Sequence, residues 1–237
     1  MIQYLKQFFF PSSSYSPSEQ AYIQYLYDSY PSNHTYKISG GRLKPKRKLA
    51  ARYKILREYF PADMASFAEV GSSKGFFVFA ASQAPTCTRS IGIDIHPYDI
   101  EVCEWLGKYL NNSRVKFAKL RLHELSEQLE AFGGPVQTVL VANTYQYLYF
   151  GSNRCKDAYL SHDLIFRHLR NVCSQRIIFN NRINLNDCQN VEQIKQANPY
   201  AISQYSEEKV AEAASNYFTI TKQGVVGRFP LWILEAK

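Results

Sequence analysis

The sequence predicts an α/β fold built on a doubly wound, mostly parallel β-sheet. Short apolar runs of strand length alternate along the chain with segments of helical period, which is the order of βαβ units. A glycine-rich turn joins the first of these runs to a helix, and the chain ends in two strand-like segments separated by Gly224 and Gly227. We therefore expect a seven-stranded sheet with an antiparallel C-terminal strand, preceded by an N-terminal helical extension.

Length and composition indicate one domain with an extension. The 237 residues suffice for one core, and 46% hydrophobic against 20% charged residues is an ordinary globular balance. The five cysteines form no closely spaced pair, which argues against a disulfide framework or a zinc site and for a reducing compartment. Residues 1–10 lack a signal-peptide cleavage site, and no apolar run approaches the roughly 20 residues of a membrane span. We expect a cytoplasmic protein with no membrane contact and no metal site.

Residues 1–41 are the predicted extension, and residues 42–237 are the predicted main domain. A short amphipathic helix is expected from about Ser18, because tyrosine and leucine recur there at four-residue spacing. The glycine pair Gly40-Gly41 is expected to end the extension. A lid over a substrate site and a packing or dimer-forming arm both fit this segment, so a homo-oligomer stays open.

The segment after the extension is strongly basic. An apolar stripe recurs at helical spacing from Leu49 to Phe60, and eight lysines and arginines between Arg42 and Arg57 fall largely off it. The chain has 28 Lys and Arg against 20 Asp and Glu, so the charge of these eight residues equals the whole net charge of +8. Such a basic helix attracts RNA or phosphorylated substrates, and it is also typical of a solvated helix face.

The glycine turn carries the first functional signal. An apolar run ends at Glu69, Gly71 and Gly75 follow, and an apolar helix starts at Phe76. Glycine tolerates positive φ and has no Cβ, so this turn lets the backbone approach a ligand. Free N–H groups at the start of the helix then favour a polar or anionic group, although a plain tight connection has the same pattern.

A carboxylate at the end of the next strand strengthens that signal. The run from Arg89 to Asp94 ends in an acid 23 residues after Gly71. In doubly wound sheets an acid at this place accepts hydrogen bonds from ribose hydroxyls, and one intervening helix sets its distance from the glycine turn. The two elements together predict a nucleoside site.

Both segments resemble motifs of the class I S-adenosylmethionine-dependent methyltransferases. The segment Glu69-Val70-Gly71-Ser72-Ser73-Lys74-Gly75 is similar to their first motif, except that Ser73 stands where a middle glycine is common. The segment Ile91-Gly92-Ile93-Asp94 is similar to their second motif, which ends in the ribose-binding acid. The resemblance covers the order of elements from about Ala51 onward. It implies a Rossmann-like fold, S-adenosylmethionine as cofactor and methyl transfer, but it implies no substrate.

The resemblance also implies which residues surround the cofactor. Glu69 should face the methionine end of the cofactor, and Asp94 should bind its ribose. The backbone at Gly71 and Gly75 should run along the cofactor. A third strand is expected from residue 114 to 120, and the adenine contact should follow it, although the family's usual acid is absent there. The implied cofactor-binding set is Glu69, Gly71, Ser72, Ser73, Gly75, Asp94, Ile95, Leu120, Arg121 and Asn143.

The family's catalytic motif lies after the fourth strand. The β-branched run at residues 136–142 predicts that central strand, and a polar cluster with Asn143 and Tyr145 follows it. We expect Asn143 and Tyr145 to orient the acceptor. For a hydroxyl acceptor, Tyr145 and His96 are both candidates for the base that removes its proton. The N-methylating motif Asn-Pro-Pro-aromatic is absent. Ordinary turn formation is the alternative for this cluster.

The remaining elements follow from period and turn residues. Arg182, just after the fifth strand, is a candidate anion holder at the same edge of the sheet. The further strands are expected at residues 176–180, 217–221 and 229–234, and the helices at 76–82, 97–110, 123–132, 157–172 and 206–214.

Three functions fit the sequence. The first is a methyltransferase acting on a small molecule, which the aromatic-rich extension and the cluster after the fourth strand favour. The second is an RNA methyltransferase that uses the basic segment at residues 42–57. The third is a non-catalytic nucleoside-binding protein, which Ser73, the missing adenine-contact acid and the lack of a clear base favour.

Overall fold

The computed structural model describes residues 16–189 and 198–237. The strands are β1 (Tyr36–Ser39), β2 (Arg42–Pro45), β3 (Ser66–Val70), β4 (Arg89–Asp94), β5 (Val115–Lys119), β6 (Val136–Ala142), β7 (Cys173–Asn180), β8 (Phe218–Val226) and β9 (Phe229–Ala236). The α-helices are α1 (Pro17–Asp28), α2 (Arg47–Leu56), α3 (Phe76–Ser82), α4 (Pro97–Tyr109), α5 (Leu122–Glu127), α6 (Tyr145–Phe150), α7 (His162–Val172), α8 (Pro199–Gln204) and α9 (Glu207–Ser215).

The main sheet has seven strands in the order β5-β4-β3-β6-β7-β9-β8. The first five strands in that order pair in parallel, whereas β9 is antiparallel to both β7 and β8. This arrangement confirms the predicted fold class. The chain winds outward from β3 to β5 and then returns to place β6 on the other side of β3. The crevice at this switch point is where ligands bind in open α/β sheets.

Helices cover both faces of the sheet. The helices α1 to α4 pack with one apolar layer, and α5 to α9 pack with the other. All residues of β3 are buried, which explains why its sequence is a continuous apolar run rather than an alternating one. Within the described ranges, no helix combines the length and apolar character that crossing a membrane requires.

The hairpin β1–β2 spans the predicted boundary between extension and domain. Gly40 and Gly41, at that boundary, form its turn, with φ of +57° and +69°. Two consecutive residues with positive φ suit a tight hairpin turn, which strongly favours glycine. The basic segment therefore begins as a strand, and only its part from Arg47 onward is helical.

The described part of the extension is anchored on the glycine turn. The Tyr36 hydroxyl donates a hydrogen bond of 2.5 Å to the backbone carbonyl of Lys74, and the Lys74 ammonium donates one of 2.8 Å to the carbonyl of Ser29. The Tyr25 hydroxyl donates one of 2.5 Å to Asp99 at the start of α4. Burial lowers the pKa of Lys74 to about 8. Residues 16–46 therefore pack as a fixed arm against the turn and α4.

We expect Tyr36→Phe to loosen this arm. The variant leaves the buried Lys74 carbonyl without its donor, which should cost about 1–2 kcal/mol. Urea unfolding would measure the loss, and hydrogen exchange should rise over residues 17–46 but not in β6. Tyr200→Phe, which changes an exposed tyrosine on α8, is the matched control. Equal stability and exchange in both variants would contradict the anchoring role.

Candidate functional site

A cavity of about 910 Å³ lies at the carboxyl ends of the parallel strands. The loops after β3, β4, β5, β6 and β7 line it, and residues 30–34 of the extension close one side. Small-molecule sites measure roughly 300–1,000 Å³, so the cavity has room for a nucleoside cofactor and a second molecule. The sequence left open whether the extension covers a substrate site or packs as an arm, and residues 30–34 line the cavity because the arm is docked against the turn and α4.

The glycine turn brings backbone to the cavity. Gly71 has a φ of +74°, and a Cβ on it would lie 2.3 Å from Oγ1 of Thr144 in the loop after β6. Ser73 has a φ of +47°, in the left-handed region. Glycine adopts this region most easily, which agrees with the glycine that is common at this place in the motif that the segment resembles. Gly71 and Ser73 line the cavity. Ser72 and Gly75 do not line it, and a Cβ on Gly75 would instead lie 2.7 Å from Phe117 of β5.

Asp94 lies at the cavity with both oxygens oriented by backbone. Its Oδ2 accepts a hydrogen bond of 2.8 Å from the Ser73 N–H, and its Oδ1 accepts one of 2.9 Å from the His96 N–H. Burial raises the pKa of Asp94, and these two hydrogen bonds oppose the rise. Each carboxylate oxygen keeps a further lone pair for another donor. Ile95 lines the cavity next to it.

The predicted cofactor acid Glu69 lies outside the cavity lining. Its side chain is buried, and its Oε2 has no hydrogen-bond partner among the described residues. Burial raises the pKa of the Glu69 carboxyl well above its ordinary value, and the Arg52 cation opposes that rise. Arg52 from α2 is itself buried, with Nη2 unpartnered. Its Nη1 lies 3.5 Å from Nε2 of His34, whose pKa burial lowers to about 3.

The predicted adenine segment lines the cavity at residues 120–122. The Arg121 N–H already donates to Glu124, and the His123 N–H donates to the Tyr159 hydroxyl. The Arg121 guanidinium forms an ion pair of 2.9 Å with Asp157. Leu122 is the first residue of α5, so its N–H has no acceptor within that helix.

The loop after β6 presents an unpartnered oxygen. Asn143 lines the cavity with a φ of +60°, and its buried Oδ1 has no hydrogen-bond partner among the described residues. Asn181 holds this loop in place: its Oδ1 accepts from the N–H groups of Thr144 and Tyr145, and its Nδ2 donates to Val141. We did not assign Asn181 a role from the sequence. A long-range bond of this kind leaves no local pattern.

Two of the three predicted catalytic residues lie away from the cavity. Tyr145 is fully buried in the core, and its hydroxyl lies 2.6 Å from Nδ1 of His162, whose Nε2 lies 3.0 Å from the carbonyl of Gln204. The α6 helix begins at Tyr145 and turns this ring inward, so it cannot orient an acceptor. His96 caps α4, where its Nδ1 accepts a hydrogen bond of 3.3 Å from the Asp99 N–H, and it does not line the cavity. Only Asn143 is placed as expected.

Comparisons with known proteins identify the fold. No family model matches the sequence, and the comparison with curated proteins gives no match. The N-terminal domain of EvdMO1, crystallised with SAH and D-fucose, superposes with a TM-score of 0.56 at 12% identity and covers 79% of this chain and 83% of that domain. N-methyltransferase NodS from Bradyrhizobium japonicum WM9 gives a TM-score of 0.51 at 14% identity, over 79% of this chain and 94% of its own.

A SAM-dependent methyltransferase from Aquifex aeolicus gives a TM-score of 0.50 at 15% identity, over 78% of this chain and 88% of its own. Other matched proteins are longer, and this chain spans 39% of the WbdD chain and 41% of a longer EvdMO1 chain. The chain therefore has the class I methyltransferase fold that the motif resemblance implied. Identities this low establish the fold alone, and the reaction has to be argued from the site.

We expect Arg52 to compensate the buried Glu69 charge. In Arg52→Met the Glu69 carboxyl loses the cation that lowers its pKa, so its folded pKa should rise further than in the wild type. Because the folded pKa of Glu69 is raised above 4.5, the folded chain holds a proton that the unfolded chain has released, and stability falls as pH rises above 4.5. The deficit of Arg52→Met should therefore be larger at pH 7.5 than at pH 4.5.

Urea unfolding of Arg52→Met, Glu69→Gln and the double variant at both pH values measures this coupling. The double variant should be more stable than Arg52→Met at neutral pH, since an amide needs no counter-charge. If Glu69→Gln restores nothing, Arg52 stabilises the chain through packing and not through charge. Arg57→Met, an exposed arginine at the end of the same helix, is the matched control.

Proposed function

We propose that this chain is an S-adenosylmethionine-dependent methyltransferase that acts on a small-molecule acceptor. The observation that carries the proposal is one cavity at the switch point that gathers most of the cofactor residues implied by the motifs. The members that line it are Gly71, Ser73, Asp94, Ile95, Leu120, Arg121 and Asn143.

The residues present fit the cofactor. Asp94 has lone pairs left for ribose hydroxyls, the N–H of Leu122 has no acceptor within α5, and Gly71 and Ser73 line the cavity along the turn. The bound sulfonium supplies an activated methyl group, so the main task of the protein is to hold the acceptor at attack distance. Asn143 would contribute by accepting a hydrogen bond from the acceptor, since its Oδ1 is otherwise unpartnered.

The acceptor side offers hydrogen bonds rather than a strong base. Tyr30, Asn33 and His34 from the arm face this part of the cavity wall together with Tyr147, whose hydroxyl donates to Gln189. With its pKa lowered to about 3, His34 is neutral at physiological pH and too weak a base to remove an alcohol proton efficiently. We also propose a cytoplasmic location, supported by five free cysteines that a reducing compartment would preserve.

Calorimetric titration of S-adenosylhomocysteine tests the cofactor site. We expect micromolar binding to the wild type and at least tenfold weaker binding to Asp94→Ala, since a ribose would lose its charged acceptor. Asp63→Asn removes an exposed carboxylate outside the cavity and should bind as the wild type does. Absence of binding to well-folded wild type would refute the proposal. Binding without turnover of any acceptor would instead favour a non-catalytic nucleoside-binding protein.

An RNA methyltransferase is the second candidate, and the surface charge favours it. Of the eight basic residues at 42–57, Arg52 points inward and Lys46 pairs with Asp28 at 3.3 Å. The other members are exposed on β2, on α2 or just after it, and they are Arg42, Lys44, Arg47, Lys48, Lys54 and Arg57. We call these six residues the basic surface. It can contact phosphates without any change in the fold.

Filter binding of bulk tRNA against salt separates the two candidates. If RNA is the acceptor, the triple variant Arg47→Ala, Lys48→Ala, Lys54→Ala should bind at least tenfold more weakly, with a salt slope reduced by about 2. A control variant with Lys108, Lys119 and Arg167 changed to Ala removes equal charge from exposed positions elsewhere. Equal, weak tRNA binding by wild type and both variants would exclude the RNA candidate.

A further inference from the structure

Arg182 is a guanidinium in the cavity without an anionic partner among the described residues. It follows β7 and lines the cavity, and its Nε is buried with no hydrogen-bond partner within residues 16–189 and 198–237. The ion pairs among residues 16–189 and 198–237 do not include it. Burying a guanidinium N–H without a hydrogen-bond acceptor costs free energy. This arrangement therefore suits a site in which an anionic group of the ligand becomes the acceptor.

Contacts within the protein hold Arg182 in place before any ligand binds. Its guanidinium carbon lies 4.6 Å from the ring centroid of Phe229, over the ring face. The buried Tyr205 donates a hydrogen bond of 2.6 Å to the Arg182 carbonyl, which fixes the backbone at the end of β7. A guanidinium that is stacked and anchored in advance loses little freedom when it binds a planar or tetrahedral anion.

The surroundings of Arg182 are polar but not acidic. The cavity residues nearest in the fold, on the loop after β6 and beyond β7, are the neutral side chains of Asn143, Tyr147, Gln189 and Asn198. The carboxylates that line the cavity belong to the opposite side, where Asp94 and Asp99 follow β4 and Asp157 pairs with Arg121. Arg52 is a second cation close enough to Arg182 for mutual repulsion, although the buried Glu69 carboxyl partly offsets the charge of Arg52. Among the described residues that line this end of the cavity, no carboxylate offsets the charge of Arg182, and the local potential therefore favours an anion.

Strand spacing places Arg182 beyond the donor. Asp94 ends β4 and Arg182 follows β7, and the order β4-β3-β6-β7 separates them by three strand intervals. At about 4.8 Å per interval this is roughly 14 Å. If a ribose binds at Asp94, the methyl donor would extend from there over β3 and β6, and Arg182 would lie one strand further, on the side where the acceptor binds.

We infer that Arg182 binds a carboxylate or phosphate group of the methyl acceptor, so that the acceptor is a small anionic molecule. This inference rests on the proposed methyltransferase function. It adds the charge of the acceptor and the residue that recognises it.

The test follows the Nε–H signal of Arg182 by NMR in protein saturated with S-adenosylhomocysteine. The signal is assigned by its absence in Arg182→Lys. The probes are benzoate, inorganic phosphate and benzamide, of which benzamide is the neutral isostere of benzoate. Arg228→Met is the matched control, because Arg228 is exposed and also lies over Phe229, at 5.3 Å, without lining the cavity.

We expect benzoate or phosphate to shift this signal saturably and benzamide to bind at least tenfold more weakly. A response to benzoate alone indicates a carboxylate acceptor, and a response to phosphate alone indicates a phosphorylated one. Arg182→Met should lose the preference for the anion, as measured by calorimetry, and keep its affinity for S-adenosylhomocysteine within twofold. Arg228→Met should change neither property.

Two results would overturn the inference. Equal binding of benzoate, phosphate and benzamide to the wild type would show that Arg182 recognises no anion. A tenfold loss of S-adenosylhomocysteine affinity in Arg182→Met would assign the guanidinium to the amino-acid carboxylate of the donor. Failure of the wild type to bind S-adenosylhomocysteine at all is a separate result, and it refutes the proposed function first.

Discussion

The left-handed turn between β3 and α3 is the constraint on which the rest of the structure depends. Gly71 must lack a Cβ because the Thr144 side chain occupies that space, and this brings the loop after β6 to the cavity. Ser73 gives its N–H to Asp94, which orients the carboxylate. Lys74 holds the arm through its carbonyl and its ammonium. Three residues of one turn, Gly71, Ser73 and Lys74, thus contact the end of β4, the loop after β6 and the arm.

The basic segment has two roles that its sequence does not separate. Most of its cations lie in solvent on β2 and α2, where they create the basic surface. One of them, Arg52, lies in the interior near Glu69 and His34. A helix that packs through one apolar stripe also buries the residue at the edge of that stripe. On α2 that residue is Arg52, whose positive charge partly offsets the cost of burying the Glu69 carboxyl. Four of the eight cations of this segment, Arg47, Lys48, Arg52 and Lys54, therefore lie on the same ten-residue helix, and one of them sets the electrostatics beneath the site.

The two halves of the cavity differ in how fully their polar groups are satisfied. On the side of β4 and β5, Asp94 and Arg121 already have protein partners, so only their remaining lone pairs and N–H groups are available to a ligand. On the side of β6 and β7, Oδ1 of Asn143 and Nε of Arg182 are buried without partners among the described residues. Buried polar atoms in native proteins are nearly always hydrogen-bonded, so exceptions that share one cavity indicate where a ligand is recognised.

The sequence by itself determined the seven strands of the main sheet, the glycine turn and the acid at the end of β4. These are local or periodic features, because a buried strand needs a continuous apolar run and a tight turn needs glycine. The inward direction of Tyr145, the wall formed by the arm and the support that Asn181 gives to the loop after β6 were decided only by the tertiary structure. A helix start that moves by one residue rotates a side chain by about 100°, and contacts between distant segments leave no periodic trace in the chain.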